Sequence, residues 1–200
     1  MRKPRNLAEI RDFYISEYRP LYDRFVVENR LPQELHAEIA AAFDHLMRNV
    51  REKGNIDNSE FDRVLGHLKR ATFDSFKLLF ENGIRARYDR FMTARYANVE
   101  DGNFQPRIME LFNKAVIIAR EARTLEHSTE NDDSEAWGKA FEKWKLLLPI
   151  ADEFIKMESS PKVQRAKKLG RIRWFWIIAE KLFWIIVGSI LSWGIGRLLG

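Results

Sequence analysis

Between Trp174 and Gly196 the chain runs for 23 residues, WFWIIAEKLFWIIVGSILSWGIG, with Glu180 and Lys181 as its only charges. At about 1.5 Å per residue, a helix of that length matches the ~30 Å hydrocarbon core of a bilayer. Trp174, Trp176, Trp184 and Trp193, flanked by cations, have the composition of an interfacial aromatic belt. This segment constrains everything upstream, because a terminal apolar helix must be covered by lipid, by its own domain or by other copies. A spanning helix is the expectation. The alternatives are an amphipathic helix lying in the membrane interface and a core helix of the preceding domain.

The rest of the chain is too polar to enter a bilayer. Residues 162–173 carry Lys162, Arg165, Lys167, Lys168, Arg171 and Arg173 with no acid, while residues 1–161 have a net charge of −2. The basic character is therefore confined to the stretch beside the apolar helix, which points to anionic lipid rather than to a nucleic-acid-binding domain. Those six cations also favour a cytoplasmic N-terminal side. The N-terminus lacks the apolar run of a secretory signal, and the chain has no cysteine, which fits a reducing compartment. The expected layout is an α-helical domain over 1–158, a basic juxtamembrane segment over 159–173 and a transmembrane helix over 174–196. The implied location is a membrane, crossed once, with the N-terminal domain in the cytoplasm.

Upstream of the tail, apolar residues recur at helical spacing and strand signals are nearly absent. Asn6 caps a first helix over LAEIRDFYISEY, and Pro20 begins a second. Pro32 opens a helix to Lys53 with Gly54 as its stop and Leu35, Ile39, Phe43, Leu46 and Val50 as its inward stripe. Asn58 or Ser59 starts the next, which runs to Phe80, with a break or bend at Gly83 and a continuation to Tyr96. Residues 98–104 form a turn, Pro106 opens a helix to about Glu126, and residues 127–135 form a polar loop. A last domain helix over 134–157 is kinked at Pro149. The fold class is all-α, a bundle of five to six helices followed by the membrane helix.

Within the tail, Glu180, Lys181, Gly188, Ser189, Ser192 and Gly196 fall on one half of the helix circumference at ~100° per residue. Gly188, Ser192 and Gly196 place a small residue at every fourth position, which lets membrane helices approach closely. Self-association with this face inward, and Glu180 and Lys181 in a polar interior, is the expectation. Such an assembly could line a pore. Lys181 lies two turns from the start, where its stem can carry the ammonium towards the headgroups.

Polar residues stand out on two consecutive helices. Asp44 and His45 lie near Glu38 and Arg48 on one, and Arg63, His67, Arg70 and Asp74 line one face of the other. Antiparallel packing would join them, as a register-fixing salt-bridge network or as a catalytic cluster. The four histidines show no HExxH pattern, so Asp44, His45 and His67 could bind a metal only if packing brings them together; no glycine-rich phosphate loop is present, and no cofactor is implied.

The stretches Ala42-Phe43-Asp44-His45-Leu46 and His67-Leu68-Lys69-Arg70-Ala71-Thr72-Phe73-Asp74 resemble HEPN-type helical domains, over residues 33 to 127. Such domains occur in bacterial defence loci, including small membrane accessory proteins. The resemblance implies an Arg-x4–6-His ribonuclease motif acting in a dimer. Arg120 and His127 match that spacing, as do Arg30 and His36, but neither arginine is followed by Asn, His or Asp. The expectation from the whole sequence is a tail-anchored homo-oligomer that perturbs the membrane in anti-phage defence, in contact with lipids and a defence-system protein. A membrane-tethered ribonuclease acting on RNA and a scaffold recruiting a soluble partner are the alternatives.

Overall fold

The computed structural model describes residues 6–27, 33–53, 58–127 and 134–199, and on the last helix it describes side chains as far as Ile186, Arg171 and Arg173 excepted. All regular structure among these residues is helical, with no strand. The α-helical segments are α1 (Leu7–Phe13), α2 (Arg19–Val27), α3 (Gln33–Lys53), α4 (Asn58–Leu78), α5 (Ala86–Phe91), α6 (Phe104–His127), α7 (Ser134–Lys145), α8 (Leu147–Ser159) and α9 (Pro161–Leu199).

Several boundaries are visible in the residues that form them. The Asn6 side chain accepts the Glu9 amide at 2.9 Å, which caps α1. Pro20 does not begin a separate helix. A π-helical turn, Tyr14–Tyr18, joins α1 to α2, and the Arg19 amide reaches back to Tyr14 O. A proline inside an α-helix would clash with the carbonyl four residues earlier, here Ser16, and the widened turn just upstream relieves that clash. A second π turn, Leu79–Arg85, surrounds Gly83 and links α4 to α5, so the expected break is a local widening of one long helix. That helix ends at Phe91, short of Tyr96. Two 3-10 turns, Ala94–Tyr96 and Val99–Gly102, lead into α6, which starts two residues before Pro106.

Pro149 acts earlier than expected: the helix stops at Lys145 and restarts at Leu147. Pro149 has no N–H for the Lys145 carbonyl and its ring would press on that group, so the chain turns there. Ser160 and Pro161 then start α9, with the Ser160 Oγ 3.4 Å from the Val163 amide and Pro161 at the first helical position. The expected roles of Pro32, Gly54 and residues 128–133 lie outside the described residues.

The core is aromatic. Phe76, Phe91, Phe104, Phe141, Trp144 and Phe154 are all fully buried, and Phe76 stacks on Trp144 with planes 9° apart. Rings of this size each remove ~150–250 Å² from water. A smaller cluster of Ile10, Ala42, Val64 and Leu68 closes the α3–α4 hairpin against α1. Here the inward stripe differs from the expected one. Leu35 and Ala42 are buried, while Phe43 is 62% exposed. Ala42 sits seven residues from Leu35, two turns on the same face, and its small side chain lets α3 lie close to α4; Phe43 is rotated ~100° away.

Candidate functional site

The helix α9 leaves the bundle soon after it begins. Val163 is buried against the core, but from Leu169 onward the apolar side chains face outward. Trp174, Phe175, Trp176, Trp184 and Ile185 are each 63–68% exposed. Successive apolar positions from Ile172 to Ile186 point around the whole circumference at ~100° per residue. Glu180 and Lys181 are exposed on the same stretch. At ~1.5 Å per residue the 39-residue helix is about 58 Å long. A core helix would have these rings covered, and a one-sided amphipathic helix would confine them to one face.

Among the described residues no helix is long and apolar enough to cross a membrane. The described side chains of α9 end at Ile186, ahead of the sequence from Val187 to Gly196. The backbone is helical through Gly188, Ser192 and Gly196, and the packing expected of them lies outside the described side chains. Of the six cations in residues 162–173, Lys162, Arg165, Lys167 and Lys168 form no ion pair among the described residues. The side chains of Arg171 and Arg173 lie outside the described set.

Where α9 departs, it faces the segment between α5 and α6 across a cleft of about 1000 Å³. Arg95, Glu100 and Asp101 stand on one wall, Lys162, Arg165, Leu169 and Trp174 on the other. Gly170 brings the two walls together: a Cβ there would sit 3.4 Å from Arg95 Cβ. Glu100 (φ 54°) and Asp101 (φ 55°) are both left-handed, as is Gly102 (φ 90°). For an L-residue that conformation costs roughly 1–2 kcal/mol.

The expected polar cluster between α3 and α4 forms in part. His67 Nδ1 lies 2.7 Å from Glu38 Oε2, and Arg70 Nε donates to the same oxygen at 3.1 Å. His45 stacks on His67 with ring centres 5.2 Å apart. Arg70 also brings a terminal nitrogen to 2.7 Å from His67 Nδ1. One ring nitrogen cannot donate to Glu38 and accept from Arg70 at once. The carboxylate accepts more strongly, so Nδ1–H donates to Glu38 and the arginine contact is only a close approach.

Asp44 pairs instead with Arg48 on the exposed side of α3. Asp74 belongs to a different site, sharing Lys77 with Glu126 of α6 at 3.1 and 2.7 Å. Burial disfavours the Lys77 ammonium, but the two carboxylates outweigh it and its pKa is raised. Arg63 lies exposed on α4. A His–Glu pair can orient a general base, yet among the described residues no nucleophilic side chain is bonded to His67. Glu38, which joins both His67 and Arg70, ties α3 to α4 and sets their register.

Arg120 and His127 are both exposed on α6, two turns apart, or about 10 Å along the axis. No contact joins them among the described residues. Arg30 lies outside the described residues, and His36 Nε2 is 3.4 Å from the Tyr22 hydroxyl. No group of three or more His, Asp and Glu side chains among the described residues could hold a metal ion. The turn at residues 98–104 was legible by composition, but the cleft it lines with Arg95 had no sequence signal: its walls are 60 or more residues apart along the chain.

Comparison of the chain with known protein families, with curated proteins and with solved structures yields no match.

Proposed function

We propose that this chain is a membrane-attached helical protein, its bundle held at a bilayer by α9 and its tail associating with other copies. The observation that carries the reading is the outward display of Trp174, Phe175, Trp176, Trp184 and Ile185 on a helix that the bundle leaves uncovered. Soluble proteins seldom expose contiguous apolar surface on this scale. Its spread around the helix favours immersion over lying flat in the interface. Lys162, Arg165, Lys167 and Lys168 at the root of the helix, without ion pairs among the described residues, suit an anionic cytoplasmic leaflet. The spanning form rests on the apolar sequence continuing from Val187 to Gly196. Assembly through Gly188, Ser192 and Gly196, with Glu180 and Lys181 inward, would let the oligomer perturb a bacterial inner membrane, the role that the resemblance to defence-locus proteins implies.

Membrane fractionation of the full chain against a Trp184→Asp/Ile185→Asp variant tests attachment. Both side chains are exposed, so the bundle is untouched. Each charge in a span costs ~2.5–3.5 kcal/mol, and the variant should move to the soluble fraction. Equal membrane recovery of both forms would refute the reading. A growth and dye-permeability assay then tests perturbation. Wild type should depolarise cells, and a Gly188→Leu/Ser192→Leu variant should remain membrane-bound and harmless; equal effects of both would leave the tail an anchor only.

A further inference from the structure

We propose that the cleft between α9 and the 94–102 segment is a binding site for the headgroup of an anionic glycerophospholipid. The inference rests on the membrane reading and names the lipid chemistry that the root of the helix selects. Arg95, Lys162 and Arg165 face the cleft from two parts of the chain, and none of the three has a carboxylate partner among the described residues. On the Arg95 wall, Glu100 pairs with Arg107 at 3.8 Å, which leaves Asp101 as the lining carboxylate without a cation among the described residues. The cleft therefore holds an excess of positive charge of a size that suits a singly charged phosphodiester.

Along α9 the lining changes from charged to apolar. Lys162 and Arg165 come first, then Leu169, Trp174 and Ile177. About 14 Å of helix separates Arg165 from Trp174, and the headgroup layer of one leaflet accounts for ~5–8 Å of that. The long Arg165 side chain extends along the remainder. A phosphate among the three cations would thus place its glycerol and upper acyl carbons against Leu169 and Trp174. A free phosphate would make no use of that apolar end. Gly170 matters here because it lets the Arg95 stem lie against α9 and present its guanidinium to the same space. Arg95 also packs over the Tyr96 ring at 5.8 Å, which limits its freedom.

The test uses the full chain in neutral detergent, titrated with dansyl-labelled phosphatidylglycerol and read by energy transfer from tryptophan. Dansyl-labelled phosphatidylcholine is the reference lipid. Arg95→Gln/Arg165→Gln should weaken phosphatidylglycerol binding by about fivefold for each cation removed. Lys167→Gln/Lys168→Gln removes equal charge outside the cleft lining and should weaken it distinctly less. Circular dichroism confirms that each variant stays folded. Equal loss in the two double variants would overturn the proposal, leaving only diffuse attraction to a basic segment. Competition by glycerol phosphate at concentrations comparable to the lipid would also overturn it, in favour of a soluble anion site. Flotation of wild type with phosphatidylcholine vesicles separates the two readings. Flotation without phosphatidylglycerol selectivity removes the headgroup site and keeps membrane attachment; absence of flotation removes attachment itself.

Discussion

The junction from which α9 emerges is held by Glu158, and its removal should be costly in a specific way. Arg87 is a buried cation, donating from Nε to Glu158 Oε2 at 2.9 Å and from a terminal nitrogen to the Gly83 carbonyl at 2.8 Å. Arg90 reaches the other carboxylate oxygen at 3.2 Å, and Gln164 of α9 donates to the Glu158 carbonyl at 2.7 Å. Breaking a buried pair by removing one partner costs ~3–5 kcal/mol. Glu158 is 28% exposed and Arg90 45% exposed, so water screens part of the pair. For Glu158→Gln we therefore expect a loss of about 2–3 kcal/mol, because the buried Arg87 guanidinium loses the Glu158 charge. Arg87→Met should cost only about 1 kcal/mol, since Glu158 keeps Arg90 and access to solvent.

The double variant should fall within about 1 kcal/mol of Arg87→Met alone, giving a coupling of ~2 kcal/mol. Urea unfolding of the full chain in neutral detergent, followed by circular dichroism, measures all four forms, with the m-value as the check on two-state behaviour. Additive losses, with coupling below ~0.5 kcal/mol, would refute the argument that a buried charge pair locks this junction.

Other consequences are shorter to state. The Tyr18 hydroxyl is buried with no partner in bonding geometry among the described residues. Burial raises the Tyr18 pKa above its usual value. Its contribution is fully present below pH ~10 and is lost above it, because the unfolded tyrosine ionises first. Tyr18→Phe should hold or raise stability by up to ~1 kcal/mol at neutral pH and flatten the alkaline fall in thermal melts. The raised Lys77 pKa acts in the same alkaline direction and should leave a residual slope. Asp101→Gly should stabilise the fold by ~1 kcal/mol in the same melts by relieving a left-handed residue; a loss of stability would mean that the carboxylate does more than line the cleft. If α6 carries ribonuclease chemistry, His127→Ala abolishes cleavage of a labelled RNA by the full chain, and cleavage that survives the change excludes His127.

The residues alone were enough for the helical class and for the separate character of the last helix, because both follow from local rules. Periodicity and caps such as Asn6 act within one or two turns, and the acid-free run from Lys162 to Arg173 is a matter of counting. Proline and glycine were legible as disturbances but not in their form. Just upstream of Pro20 and around Gly83 the chain forms π turns inside continuing helices, since packing on both sides rewards an unbroken axis. Which of Ala42 and Phe43 faces inward was decided by how closely α3 meets α4. Only the tertiary structure separated Asp44 and Asp74 from the Glu38–His67–Arg70 network, and only it set Arg95 opposite Arg165. Those pairings depend on helices meeting across long stretches of chain, where side-chain reach and burial settle the partner and no spacing in the sequence encodes it.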